Sequence, residues 1–152
     1  MASNHQPAAS GQIDARGPRF GAGITAVVLA VALIAGPHAL GTALIIVQLL
    51  AFGLGSLVGP QAQPYGRIYA QFVKPRLAGP VPLEAPEPPR FAQTVGLVFA
   101  LVALLGAVVD SPALFTIAAA LALGAAFLNA AFDYCLGCEM YLLIQRLKHR
   151  TA

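Results

Sequence analysis

Four long stretches of the chain carry no ionised side chain, and this feature most limits what it can fold into. A bilayer core is crossed by a helix of roughly 20 apolar residues. Each stretch is close to that length, and the spans are predicted near 20–36, 39–58, 91–109 and 112–132. In hydrocarbon every backbone N–H and C=O must find a partner inside the protein. The sequence therefore predicts an all-α fold, a polytopic membrane bundle of four transmembrane helices.

Charged residues make up only 10% of the chain, against about 25% in a typical soluble domain. All nine lysines and arginines precede the first span, lie between the second and third, or follow the fourth. The two tight turns, at 36–38 and 110–112, carry none. Under the positive-inside rule the basic side is cytoplasmic. We therefore predict a multi-pass plasma-membrane protein with both termini in the cytoplasm.

The positive charge also predicts attraction to anionic lipid. A nucleic-acid partner is not predicted, because no basic run is interleaved with aromatic residues. A secretory signal peptide is a weaker interpretation of the first span, since a long polar segment precedes it and a second span follows almost at once. We expect it to remain uncleaved.

Three regions are predicted along the chain. Residues 1–15 have the composition of a mobile tail, residues 16–147 form the membrane domain, and residues 148–152 form a basic C-terminal tail. The cytoplasmic loop 59–90 is rich in proline, and its second half is expected to be extended and not helical. Its first half, around 67–74, has the pattern of a short interfacial helix. A frayed continuation of the second span is the alternative.

The chain also has features of a tandem two-helix repeat. Pro18-Arg19-Phe20 opens the first half and Pro89-Arg90-Phe91 opens the second, and the turns end alike in Ala39-Leu40 and Ala113-Leu114. Small residues at four-residue spacing predict close helix packing. These are Gly55 and Gly59 in the second span, and Ala118, Ala122, Ala126 and Ala130 in the fourth.

The two cysteines of the chain lie three residues apart, as Cys135-Leu136-Gly137-Cys138. C-x-x-C is a spacing used in redox and metal sites. On a continuous helix the two Cα atoms would lie about 5 Å apart, within reach of a disulfide. If the helix breaks at Gly137, a new helix follows and Cys135 lies near its N-terminus, where the thiolate is favoured.

Three interpretations of the pair remain open. A cycling disulfide would serve redox or sulfur transfer, whereas a static one is disfavoured in the reducing cytoplasm. Alternatively, the cysteines only fill small apolar sites. A metal site with Cys135 and Cys138 is the third, with Glu139 or His149 completing the ligands, or with two copies of the chain supplying four thiolates. An oligomer is thus left open, and no motif indicates a bound quinone or other cofactor.

Four other polar residues stand out in or beside the spans. Gln48 and Gln93 are more typical of hydrogen bonding between helices than of ligand sites. Asn129 and Asp133 share one helical face, where the Asn129 amide could bond across helices. Asp133 is expected to reach the interface or to pair with an arginine of the loop.

Three blocks of the sequence resemble a known family. They are Asp14-Ala15-Arg16-Gly17-Pro18-Arg19-Phe20, the Pro-Pro-Arg-Phe-Ala-Gln block at 88–93, and Leu128-Asn129-Ala130 together with Cys135-Leu136-Gly137-Cys138-Glu139-Met140-Tyr141. With them the chain resembles the small four-helix membrane proteins of actinobacterial type grouped as domain-of-unknown-function family 4395. Asp133 departs from the pattern, in which a glycine is expected. The resemblance implies an integral membrane protein with thioredoxin-like and sulfurtransferase-like genetic neighbours.

The sequence therefore favours a membrane protein with Cys135 and Cys138 at the cytoplasmic rim as candidate catalytic thiols. It would exchange electrons or sulfur with a thioredoxin- or sulfurtransferase-like protein. The alternative function is a non-enzymatic scaffold or accessory subunit with structural cysteines.

Overall fold

The computed structural model describes residues 11–151, and within that range it contains six α-helices. They are α1 (Arg16–Ala35), α2 (Ala39–Leu57), α3 (Pro64–Ile68), α4 (Glu87–Val108), α5 (Pro112–Phe132) and α6 (Leu136–Arg150). Four of them, α1, α2, α4 and α5, are long and apolar enough to cross a membrane. The predicted helical bundle with four candidate spans is confirmed.

The four long helices form a closed ring. Helix α1 packs against α2 and α5, and α4 packs against the same two helices. The connections α1–α2 and α4–α5 are tight turns, and a glycine or aspartate with positive φ, Gly36 or Asp110, lies in each. Both hairpins therefore turn at one end of the bundle. The other end, here called the loop end, carries the long connection between α2 and α4, helix α6 and all nine basic residues.

Small residues bring the helices of the ring together. The core contains Leu29 of α1, Ala103 of α4 and Phe115 of α5, each no more than 1% exposed. Ala118 and Ala122 of the predicted alanine seam are buried in the same cluster. The seam is confirmed for these two residues, and its remaining members are half-buried. In lipid such close approach supplies the dispersion energy that holds helices together.

Of the predicted packing pair Gly55 and Gly59, only Gly55 lies in a close contact between helices. A Cβ atom on Gly55 would lie 2.8 Å from Cγ of Gln93, so α2 and α4 pack closely there. Gly59 faces open space and has a φ of 135°. Its role is to turn the chain into the loop, because α2 has already ended at Leu57. Only one member of the motif is a packing glycine.

The first half of the loop is a separate helical segment, and not a continuation of α2. Helix α3 passes into a π-helical turn, Tyr69–Val73, and a 3₁₀ turn, Lys74–Arg76. Tyr65 and Tyr69 of this segment are buried against α1. The segment therefore folds onto the bundle through its tyrosines.

The second half of the loop is extended, as predicted, but only as far as Pro86. Helix α4 already begins at Glu87, so the prediction was wrong for Pro88, Pro89 and Arg90. The first turn of a helix tolerates proline, because its N–H groups have no partner within the helix. The prolines therefore start α4 instead of preventing it.

Part of the predicted N-terminal tail is ordered on the bundle. Ile13 and Asp14 form strand β1, which pairs antiparallel with β2, Leu83–Glu84. Residues 1–10 of that tail lie outside the described residues. At the other end of the chain, α6 runs through Arg150, so the first residues of the predicted C-terminal tail are helical.

The arginines of the two repeated Pro-Arg-Phe motifs make equivalent contacts. The guanidinium of Arg90 makes two hydrogen bonds. Its Nε donates to the carbonyl of Ser56 at 2.6 Å, and its Nη2 donates to the carbonyl of Leu57 at 2.8 Å. Nε of Arg19 donates to the carbonyl of Ala130 at 3.2 Å. Aligning Ala39 with Ala113 places Ser56 opposite Ala130. Each half thus caps the second helix of the other half, which supports the tandem repeat.

We predict that Arg90→Ala lowers the free energy of unfolding by about 1–2 kcal/mol, because two carbonyls at the end of α2 lose a charged donor. Arg19→Ala should cost less, since only one carbonyl is affected. Thermal unfolding in detergent measures both. Arg146→Ala, an exposed position on α6, is the control and should leave the melting profile unchanged. Equal behaviour of Arg90→Ala and Arg146→Ala would show that the cap contributes nothing.

Candidate functional site

The chain reverses direction sharply between α5 and α6. Asp133 adopts the left-handed conformation, with φ 56°, and its N–H donates to the carbonyl of Asn129 at 3.1 Å. Aspartate tolerates this conformation better than most residues other than glycine. A bent backbone therefore forms at Asp133 although the expected glycine is missing. The helix break lies at 133–135, before the predicted position at Gly137, which belongs to the first turn of α6.

This corner holds both cysteines at the N-terminus of α6. Cys135 is the N-cap residue, and its sulfur accepts a hydrogen bond from the N–H of Cys138 at 3.3 Å. The two cysteines form a disulfide, with their Cα atoms 5.2 Å apart. The predicted proximity of the pair, and of Cys135 to a helix N-terminus, is confirmed. Both residues are half-buried at the loop end, outside the four candidate spans.

Helix α4 holds the corner in place. Gly137 approaches Ala92 so closely that a Cβ atom there would lie 2.6 Å from the Cα and Cβ atoms of Ala92. One turn further along α6, the rings of Tyr141 and Phe91 lie 5.8 Å apart between centroids. Gly137, which lies between the two cysteines, is thus required for the packing of α6 against α4. This contact sets the distance between the disulfide and the bundle.

A cavity of about 280 Å³ lies between the bundle and this corner. Cys135, Leu136 and Met140 line it at the α6 end, and it extends between α1, α4 and α5. Cys138 is not among its lining residues. Sequence reasoning missed this cavity, although the alanines of α5 that line it were recognised as a small-residue face.

The polar residues of the spans have largely structural roles. Gln48 is fully buried, donates to the Thr25 hydroxyl at 2.8 Å and accepts from the Tyr65 hydroxyl at 2.9 Å. Gln93 accepts from Gln63 at 3.1 Å. The predicted hydrogen bond between helices is confirmed for Gln48, whereas the partner of Gln93 is a residue of the loop. The partners from the loop could not be foreseen, because nothing in the sequence indicated that the loop enters the bundle.

In the described part of the chain, Asn129 does not make its predicted hydrogen bond across helices, and of the two alternatives for Asp133 only the pairing with a loop arginine is excluded. Within residues 11–151 the side-chain amide of Asn129 has no hydrogen-bond partner, and Asn129 lines the cavity. Asp133 is exposed and makes no ion pair with a loop arginine in the same range. The backbone of Asp133, which closes α5, is its structural contribution.

Acidic groups of the ordered tail and loop lie close to the corner. Burial raises the pKa of Glu84, and the carboxylates of Asp133 and Asp14 raise it further. Burial alone would also raise the pKa of Asp14, but hydrogen bonds from Arg16 and Tyr69 outweigh it and hold that pKa below its usual value. Glu84 therefore protonates more readily than Asp14.

Within the described residues, no group of three or more His, Cys, Asp or Glu side chains is arranged to hold a metal ion. In the same range, neither Glu139 nor His149 joins the cysteine pair to make such a group. The structure instead joins the two sulfur atoms to each other.

Comparison with known proteins identifies the family. The model of the family described as a domain of unknown function, DUF4395, matches residues 13–146. The match covers most of the chain, which belongs to this family. No curated protein and no solved structure matches the chain.

We predict that Gly137→Ala moves α6 away from α4, since the added methyl group would overlap Ala92. Overpacking of this kind costs about 1–3 kcal/mol, so the melting temperature should fall. After mild reduction, Cys135 and Cys138 should also react faster with a maleimide. Gly124→Ala is the matched control, because a Cβ at Gly124 meets no atom within 4 Å and alanine favours the helix. Similar behaviour of both variants would mean that α6 does not depend on the contact with Ala92.

Proposed function

We propose that this protein is a membrane thiol-redox or sulfur-transfer component. Cys135 and Cys138 exchange electrons or sulfane sulfur with a thioredoxin- or sulfurtransferase-like protein at the cytoplasmic face. The observation that carries this proposal is the disulfide at the N-terminus of α6, outside the spanning helices. A soluble partner can approach a pair in this position, which it could not do in the middle of the bilayer.

Cys135 is the attacking thiol in this proposal. Its sulfur caps α6 and accepts the Cys138 N–H, and a helix N-terminus stabilises the thiolate. The Cys135 thiolate attacks a disulfide sulfur of the partner, a mixed disulfide forms, and the partner's second sulfur leaves as a thiolate. The Cys138 thiolate then attacks the Cys135 sulfur. The pair closes to its disulfide, and the partner leaves as a dithiol. The exchange is reversible, so a partner that arrives as a dithiol runs the same steps backwards, becomes oxidised and leaves Cys135 and Cys138 reduced.

Charge supports the cytoplasmic orientation. All nine lysines and arginines lie at the loop end, where the disulfide is also found, and basic residues favour the cytoplasmic side. Cytoplasmic thiols are kept reduced, so a disulfide that forms there is usually transient and catalytic or redox-sensing. A pair that cycles between the two states fits this setting.

The orientation predicts one-sided labelling of the two lysines, Lys74 and Lys148. An amine reagent that cannot cross membranes should modify both in inverted vesicles and neither in intact cells, as read by peptide mapping. Ala113→Lys, in the exposed first turn of α5 at the opposite end, is the control and should be modified only in intact cells. Modification of Lys74 in intact cells would reverse the topology and place the disulfide in an oxidising compartment.

The assignment of Cys135 predicts different outcomes for the two serine variants. Cys138→Ser lacks the resolving thiol, so the Cys135 thiolate should remain bound to its partner as a mixed disulfide. Cys135→Ser should trap nothing. The measurement is non-reducing electrophoresis of membranes after acid quenching, followed by identification of the trapped protein and of its bonded cysteine.

Three outcomes of that experiment differ in meaning. Trapping by Cys135→Ser alone would reverse the roles of the two thiols and preserve the redox function. A sulfurtransferase partner should also leave a persulfide on Cys135 of the Cys138→Ser variant, which mass spectrometry detects as one added sulfur atom. No trapped partner and two equally mild variants would favour the scaffold with structural cysteines.

A further inference from the structure

The cavity beside Cys135 has the dimensions of a small-molecule site. Its volume of about 280 Å³ exceeds the roughly 150 Å³ of an engineered cavity that binds benzene. It lies near the lower end of the range of about 300–1,000 Å³ for ligand pockets. Along α5 its wall runs from Leu121 to Asn129, which is about 12 Å at the rise of an α-helix. One substituted ring and a short part of its tail would fit.

The lining of the cavity selects an apolar ligand. Phe52, Phe99 and Leu121 contribute large apolar surfaces to the cavity wall. The side chains of Ala122 and Ala126 are too small to fill the space beside them. The cavity lies among the candidate spanning helices, whose surroundings are hydrocarbon. A ligand that dissolves in the bilayer could therefore reach it, whereas a charged metabolite would lose its hydration without gaining a counter-charge from these residues.

A few polar groups break the apolar lining. The Asn129 amide has no hydrogen-bond partner among residues 11–151, and Gln93, on the opposite helix, uses its oxygen to accept from Gln63. The NH₂ groups of both side chains can donate. Two donors on facing helices suit a ring that carries carbonyl oxygens.

The position of Cys135 adds the chemistry. Cys135 lines the cavity, and Cys138 does not, so one residue of the disulfide adjoins the apolar site. When the partner arrives as a dithiol and reduces the pair, the disulfide forms again only if the two electrons pass to an acceptor other than that partner. We propose that the cavity binds a membrane quinone, which oxidises the Cys135–Cys138 dithiol. This inference rests on the proposed redox function and names its lipid-soluble electron acceptor.

The reaction balances without another reactant. The two thiols together lose two protons and two electrons as the S–S bond forms. The quinone takes up both electrons, and its two carbonyl oxygens take up the protons to give a quinol. Cys135, at the cavity wall, delivers the electrons, and Cys138 closes the disulfide. The oxidised pair in the structure is the protein product of this step.

The test uses the purified full-length protein in nanodiscs, reduced, freed of reductant and kept under anaerobic conditions. Decylubiquinone is the probe. We expect one quinol per disulfide, measured by quinone absorbance and by thiol titration. Ala126→Leu fills the cavity, so re-oxidation should slow by about tenfold or more. Ala131→Leu, an exposed position on the same helix, is the matched control and should match the unmodified protein.

Binding is measured separately from thiol chemistry in the Cys135→Ser/Cys138→Ser double variant. Decylubiquinone should raise its melting temperature, and adding Ala126→Leu should abolish that rise. The melting profile without quinone shows whether Ala126→Leu still folds. If it does not, Asn129→Leu takes its place, because it fills the same space and removes a donor.

Failure of this inference is distinguishable from failure of the proposed function. If quinone neither oxidises the dithiol nor raises the melting temperature of the double variant, the quinone site is refuted. If Cys138→Ser still traps a protein in membranes, the thiol function stands with another oxidant. Quinone binding without oxidation of the dithiol would also refute the proposal, since the cavity would then hold a ligand unrelated to the cysteines.

Discussion

The cost of leaving a backbone group unpaired in hydrocarbon governs this structure. Each such group costs several kcal/mol, so the apolar stretches must be helical and their ends must be satisfied. The ends of α2 and α5 are the critical places, because carbonyls there have no partner in their own helix. The protein satisfies them by contacts between the two hairpins, with Arg90 at α2 and Arg19 at α5. The same contacts bind the two hairpins into one ring, so helix capping and tertiary packing are one interaction.

The fold was predictable from the sequence where a single physical rule dominates. Length and hydropathy located the four candidate spans to within a few residues, and the spacing of Cys135 and Cys138 predicted their proximity. Where two rules compete, the prediction was wrong. Pro88 and Pro89 disfavour a helix interior but suit a helix start, and both lie in the first turn of α4, which begins at Glu87. Gly137 disfavours a helix, yet it lies inside α6, because its contact with Ala92 needs a residue without a Cβ atom.

Other features depend on contacts between distant residues, which no local pattern reveals. Tyr65 reaches Gln48 only because the loop folds back into the bundle, and the pairing of β1 with β2 joins residues about 70 positions apart. The cavity is harder still to foresee, since it is space that side chains of five helices leave unfilled. An alanine face predicts close packing. Where the opposing helix does not close in, the same face borders a void.

The two hairpins differ at the positions that border that void. Aligning the turns places Gln48 and Phe52 of α2 opposite Ala122 and Ala126 of α5. In the first half, the Gln48 side chain is fully buried and bonded to Thr25 and Tyr65, and Phe52 packs on Gly96. In the second half, alanines stand at both positions and line the cavity.

The chain that follows each of these helices also differs. After Gly59 it folds back to supply Tyr65, which completes the interior of the first half. After Asp133 it starts α6 and supplies the disulfide instead. The two hairpins thus differ at equivalent positions. The first places a bonded glutamine and a phenylalanine at these positions, whereas the second places alanines there, which leave an apolar space beside the disulfide.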